Sequence, residues 1–206
     1  MKLAWSGLVL GVQPRIRLLR SFNERSHEYL GYVLWLRGRV GESEREFSVG
    51  IGAGALRTHG FRVGGQARGL AEPVPRPELE PVELYKASRL GFEPGSPDPA
   101  PAPPWHDVPP PLETYRDRGH RRLAPQTYRR HCASCIWGCL MPVEMIIDHW
   151  KPDIRRYRTE SFCYGPKSCR LYRAGPTRKV PGRRGMTYEE EDWVDEEETG
   201  HRDLDD

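Results

Sequence analysis

A chain of 206 residues, 30% of them charged and with a mean hydropathy of −0.73, has room for one or two domains with a real core. No apolar run reaches the roughly 18 residues of a membrane span. The apolar opening, Leu3 to Val12, runs into Gln13, Pro14, Arg15 and Arg17 without a small-residue cleavage site. It therefore predicts no signal peptide, a cytoplasmic protein and reduced cysteines rather than disulfides.

The net charge of +3 conceals a partition. Residues 1–113 carry 14 Lys+Arg against 13 Asp+Glu, residues 114–184 carry 17 against 5, and residues 185–206 carry 1 against 11. A neutral body, a basic module and an acidic tail favour a polyanion partner, or a tail that neutralises the module.

The N-terminal part reads as strands. Apolar residues alternate through Leu8, Leu10, Val12, Pro14, Ile16 and Leu18, with Gly11 and Pro14 marking a bend or bulge. A polar loop, Ser21 to Glu28, leads to a second strand, Tyr29 to Val40. After a turn at Gly41 to Glu44, the third strand runs from Arg45 to Gly52. A short helix from Ala53 ends at Gly60. A glycine-rich strand spans Phe61 to Leu70, and a fifth spans Val82 to Leu90 after the Pro-rich loop Glu72 to Pro81. This order resembles the OB-fold, a five-stranded Greek-key barrel, over residues 1–92. The Leu set of the second strand faces the core, which turns Arg15, Arg17, Tyr29, Trp35, Arg37 and Arg39 outward. Arginine with aromatics stacks on bases and neutralises phosphates. The other reading packs Trp35 under the linker or the next module.

Half of Pro94 to Pro111 is proline, so residues 93–112 form an extended linker that a protein partner could also recognise. All five cysteines follow, as Cys132-x2-Cys135-x3-Cys139 and Cys163-x5-Cys169. Two close pairs from separate turns suit a tetrahedral metal site. Between them, Pro142 to Trp150 and Arg155 to Phe162 read as a hairpin turning at Lys151 to Asp153. Residues 113–184 are thus similar to a small zinc ribbon. Cys132, Cys135, Cys163 and Cys169 are the expected Zn²⁺ ligands, with Cys139 a substitute and His131 and His149 lesser candidates. Three cysteines plus a remote fourth also suit a [4Fe–4S] cluster. The flanks are rich in arginine, the fork that suits phosphate, and Arg155, Arg156 and Arg158 on the hairpin join the candidate nucleic-acid contacts. The tail, residues 185–206, is read as disordered or as a short helix anchored by Trp193 and Val194.

No P-loop or G-x-S-x-G is present. The glycines Gly50 to Gly54 lack the helix and acidic partner of a dinucleotide site. Glu144, Asp148 and His149 line a strand rather than form a convincing base set, so the reading leans away from an enzyme. The segments CIWGCLMPVEMIIDHW, FCYGPKSC and RKVPGRRGMTYEEEDWVDEE resemble a group of bacterial hypothetical proteins of similar length, which implies architecture and no chemistry. An acyl-CoA-associated family also pairs an OB-fold with a rubredoxin-like ribbon, there with the ribbon first. The expected function is binding of nucleic acid, RNA or single strands, around a structural metal. The alternatives are a protein–protein adaptor docking through the metal module and acidic tail, and an iron–sulfur redox or sensing protein.

Overall fold

The computed structural model describes residues 2–21, 25–96 and 103–205. The chain is mostly β. Its first half forms β1 (Leu3–Arg20), β2 (Arg25–Val40), β3 (Ser43–Ile51), α1 (Ala53–His59), β4 (Gln66–Pro73) and β5 (Leu84–Glu93), the expected order. Part of the expected loop after Ser21, and linker residues 97–102, lie outside the described residues.

β1 departs from a single period. Trp5 and Val9 are buried early in the strand, and Val12, Ile16 and Leu18 later in it. The register on β2 slips between Val9 and Gly11. One extra residue flips every later side chain to the other face. Leu8 and Leu10 are therefore only half-buried, and Trp5 is a core residue that the single alternation misses.

β1 pairs antiparallel with β2, from Trp5↔Val40 to Arg20↔Arg25, and with β4, from Leu3↔Ala71 to Leu8↔Gln66. β3 pairs with β2 and, in parallel, with β5 at Val49↔Leu84; β4 pairs with β5. The strands β1–β2–β3–β5–β4 thus close into a ring around Val12, Ile16, Leu34, Leu36, Val49 and Phe61.

The second half contributes α2 (Leu112–Arg118), β6 (Arg121–Arg122), α3 (Pro125–Thr127) continuing into a wide turn at Tyr128–Cys132, β7 (Gly138–Ile146), β8 (Arg155–Cys163), β9 (Arg178–Pro181), β10 (Thr187–Glu190) and α4 (Asp192–Thr199). β7 adds in parallel to the end of β1, at Leu18↔Val143, and continues through β8 to β6. This corrects the expectation of a five-stranded barrel beside a small hairpin. β1 is long enough to leave the ring and carry the hairpin, so eight strands share one sheet, and β9–β10 form a separate pair. One apolar core runs across both halves, joining Val12 and Leu34 to Tyr115, Cys139, Met141, Val143 and Phe162.

The tail docks. Val194 is buried, whereas Trp193 is half exposed and does not anchor it. Asp195 accepts from the backbone N–H and Nε of Arg122, at 3.0 and 3.1 Å. Arg122 is among the largest fully buried side chains. Glu190 pairs at 2.6 Å with buried Arg20. A buried charge left without its partner is strongly destabilising, so the acidic segment is part of the fold.

Candidate metal centre and basic hairpin

The first cysteine turn is built on β1. The Cys135 N–H donates to the Cys132 carbonyl (3.2 Å) and the Gly138 N–H to the Cys135 carbonyl (3.0 Å), which closes the backbone into a tight turn. Gln13, 1% exposed, clamps this turn. Its Nε2 donates to the Cys132 and Cys135 carbonyls at 2.8 and 3.0 Å. Its Oε1 accepts from Trp35 Nε1 at 3.1 Å and the Tyr128 hydroxyl at 2.6 Å. Two glycines permit the approach. A Cβ on Gly11 would stand 2.6 Å from the Ala133 carbonyl oxygen, and one on Gly138 would stand 2.4 Å from that of Cys132.

β7 and β8 carry the chain away and back to the second turn, where the Cys169 N–H donates to the Pro166 carbonyl (3.2 Å). Cys132, Cys135, Cys163 and Cys169 line one cavity of about 10 Å³, covered by Trp105 and Trp137. Burial pushes the Cys132 thiol up to about 12 and the Cys135 thiol up to about 11, and also raises Cys163. Neighbouring sulfurs of the set add to each rise. Backbone N–H groups oppose it. Those of Trp137 and Trp105 face the Cys135 sulfur, and that of Gly165 donates to Cys163 Sγ at 3.4 Å. In the geometry shown, no three His, Cys, Asp or Glu side chains among the described residues form a group able to hold a metal ion.

Cys139 is separate. It sits on β7 in the apolar core, its Sγ 3.5 Å from the Pro14 carbonyl, and burial alone holds its thiol far above the ordinary range. His131 borders the cysteine cavity. His149 lines a different pocket, with Arg20 and Arg25.

Comparison with protein-family models, curated proteins and solved structures finds no match.

Most of the residues expected to contact nucleic acid have partners within the chain. Arg15 and Arg17 pair with Glu80 from the Pro-rich loop, at 2.6 and 2.9 Å. Tyr29 lies under the Arg116 guanidinium, 4.9 Å from ring centre. Trp35 is held by Gln13 beside the cysteine turn, close to the packing reading. Arg37 pairs with exposed Glu46 (2.7 Å), and Arg39 lies apart in a pocket with Arg68 and Arg89. On the hairpin, Arg155 pairs with Glu144, and Arg158 donates to the Lys179 carbonyl at 2.6 Å. Arg156 is exposed. The pairing also neutralises Glu144, while Asp148 caps the Trp150 N–H (3.0 Å) and faces Arg183 (3.4 Å).

The structure adds a group that alternation does not find. Trp150, at the β7–β8 turn, is 81% exposed, next to Lys151 and near Ile154, also exposed. The only cue in the sequence is a tryptophan immediately before a Lys-Pro-Asp turn, where nothing is available to bury it.

Proposed function

We propose that the chain is a non-catalytic, zinc-stapled protein that binds single-stranded nucleic acid, RNA first, through the tip of the β7–β8 hairpin. The observation that carries this reading is Trp150, an exposed ring next to exposed Lys151 at the turn of the β7–β8 hairpin, with exposed Arg156 on β8. Base stacking on an exposed aromatic, together with phosphate contacts, is the common chemistry of single-strand binding. The ring order β1–β2–β3–β5–β4, with β3 and β5 parallel, supports an OB-like barrel. The two cysteine turns flanking the β7–β8 hairpin support a zinc ribbon fused to it. A cavity near the size of one water sphere favours a single Zn²⁺ over a [4Fe–4S] cluster, as does the burial of Cys139 away from it. Zn²⁺ held by four thiolates would be structural, with no open position for a substrate. The internal pairing of Glu190 and Asp195 leaves less of the tail for an adaptor role.

The test is binding of a single-stranded RNA at several salt concentrations. Trp150→Ala should weaken binding by about 1–3 kcal/mol, the range for a stacked base, with the salt slope kept. Lys151→Gln with Arg156→Gln should reduce that slope by about 0.7 for each phosphate no longer neutralised. An RNA affinity that neither variant changes would refute the hairpin reading, and a folded parent that binds no strand at low salt would hand the exposed tip to a protein partner.

A further inference from the structure

The Pro-rich segment ahead of the first cysteine turn lies on the cysteine site. Pro103, Pro104 and Trp105 line the cavity of about 10 Å³ together with Cys132, Cys135 and Cys163. Trp105 is half-buried and packs on the apolar cluster that contains those three cysteines. Its carbonyl accepts from the Ile136 N–H at 2.9 Å, and its own N–H faces the Cys135 sulfur. Beside it, His106 Nε2 lies 3.0 Å from Ser134 Oγ. Residues 105 and 106 thus hold the cysteine turn by its backbone, by a sulfur and by a side chain. Farther along, the Pro110 carbonyl accepts from the Tyr32 hydroxyl at 2.8 Å, which fastens the same segment to the barrel.

Residues 103–111 belong to no strand or helix. Their contacts with the turn can therefore be released without breaking a strand pair. Local openings of this kind need less free energy than global unfolding. Proline stiffens the segment, so it lifts as a unit and takes the Trp105 ring off the sulfurs.

We propose that residues 103–106 are a strap that gates the cysteine site. The strap is closed in this structure, and its opening admits small solutes to Cys132, Cys135 and Cys163 while the sheet stays folded. The inference goes beyond the zinc reading, because it concerns the cover over the thiols and not the metal they hold.

The full chain, as purified, is labelled with iodoacetamide, and each cysteine is followed by mass spectrometry. Cys139, fully buried in the main core, reports opening of the whole fold. Trp105→Ala should speed labelling of Cys132, Cys135 and Cys163 by at least about tenfold, since a packed tryptophan is worth more than one hydrogen bond. Ser134→Ala removes the partner of His106 and should speed it by roughly twofold to tenfold, the range for one hydrogen bond. Cys139 should label at the parent rate in both variants, and Trp193→Ala, at a half-exposed position, should change no rate. Unchanged labelling of the three cysteines in Trp105→Ala would overturn the gate. A Cys139 rate that rises by the same factor would overturn it too, because the variant would then have loosened the whole fold. Bound zinc should also pass faster to a coloured chelator in Trp105→Ala, and an unchanged transfer rate would count against the gate. Protein without zinc that labels in the expected pattern would keep the gate and remove the zinc reading.

Discussion

Gln13→Met tests whether the barrel strand holds the cysteine turn in place. The substitution keeps length and volume and removes four hydrogen bonds. Their losses are unequal. The Cys132 and Cys135 carbonyls each retain a backbone donor, Cys135 N–H and Gly138 N–H, and the half-buried Trp35 N–H can turn to water. The Tyr128 hydroxyl, on a residue 5% exposed, is left alone. An orphaned buried hydroxyl costs about 1–3 kcal/mol, and each of the two carbonyl bonds about 0.5–1.5 kcal/mol. The variant should therefore lose about 3 kcal/mol, or roughly 6–12 °C in Tm for a chain of this size. Denaturant titration gives the free energy directly. Adding Tyr128→Phe removes the orphaned group and should restore about 1 kcal/mol. A loss below about 0.5 kcal/mol, the usual size for a surface substitution, or a double variant no more stable than Gln13→Met, would refute the clamp.

Metal content should separate the cysteines: Cys132→Ser, Cys135→Ser, Cys163→Ser and Cys169→Ser each lose zinc, while Cys139→Ala keeps it, as read by zinc per folded chain. Asp195→Ala with Asp192→Ala leaves the buried Arg122 guanidinium without a carboxylate and should cost about 3–5 kcal/mol in a denaturant titration, whereas Glu196→Gln with Glu197→Gln, at exposed positions, should stay within about 0.5 kcal/mol. The same exposed pair tests screening by the tail: it should tighten RNA binding at low salt, with the gain fading as salt rises. Acid should destabilise the fold through His27, which packs against His120 at 4.9 Å between ring centres. Burial first, then Arg25 and Arg20, lowers His27 from 6.5 to about 4. A lowered native pKa means that the unfolded chain takes the proton first, so stability is full above pH 6.5 and falls as pH drops toward 4. The fall through His27 is about 3 kcal/mol at most; buried His120, also held below its ordinary range by burial, adds its own, so His27→Gln should reduce the fall without abolishing it in denaturant midpoints measured across that range.

The strand order was legible because the alternation of Leu30, Leu34 and Leu36 and the breaks at Gly41 and Gly60 are local. The hairpin and the separate placement of its two cysteine pairs were legible for the same reason. What was not legible depends on contacts between distant segments. The bulge after Val9 reverses the phase of β1, so Trp5 did not read as core. Arg15 and Arg17 face outward as their period requires, yet Glu80 from a loop about sixty residues away closes over them. The acidic tail reads as solvated by composition alone, because composition does not reveal that Arg20 and Arg122 are buried and need its carboxylates. Cys132 and Cys139 look equivalent by spacing. Only the pleat of β7, which turns Cys139 into the core, separates them.

The most direct test is elemental analysis of the full chain purified without oxygen, with a visible spectrum of the same sample. Four cysteines lining one small cavity predict about one zinc per chain and a colourless protein. Brown protein containing iron and acid-labile sulfide would contradict the zinc assignment, and metal-free protein with an ordered cysteine module would contradict a metal centre altogether.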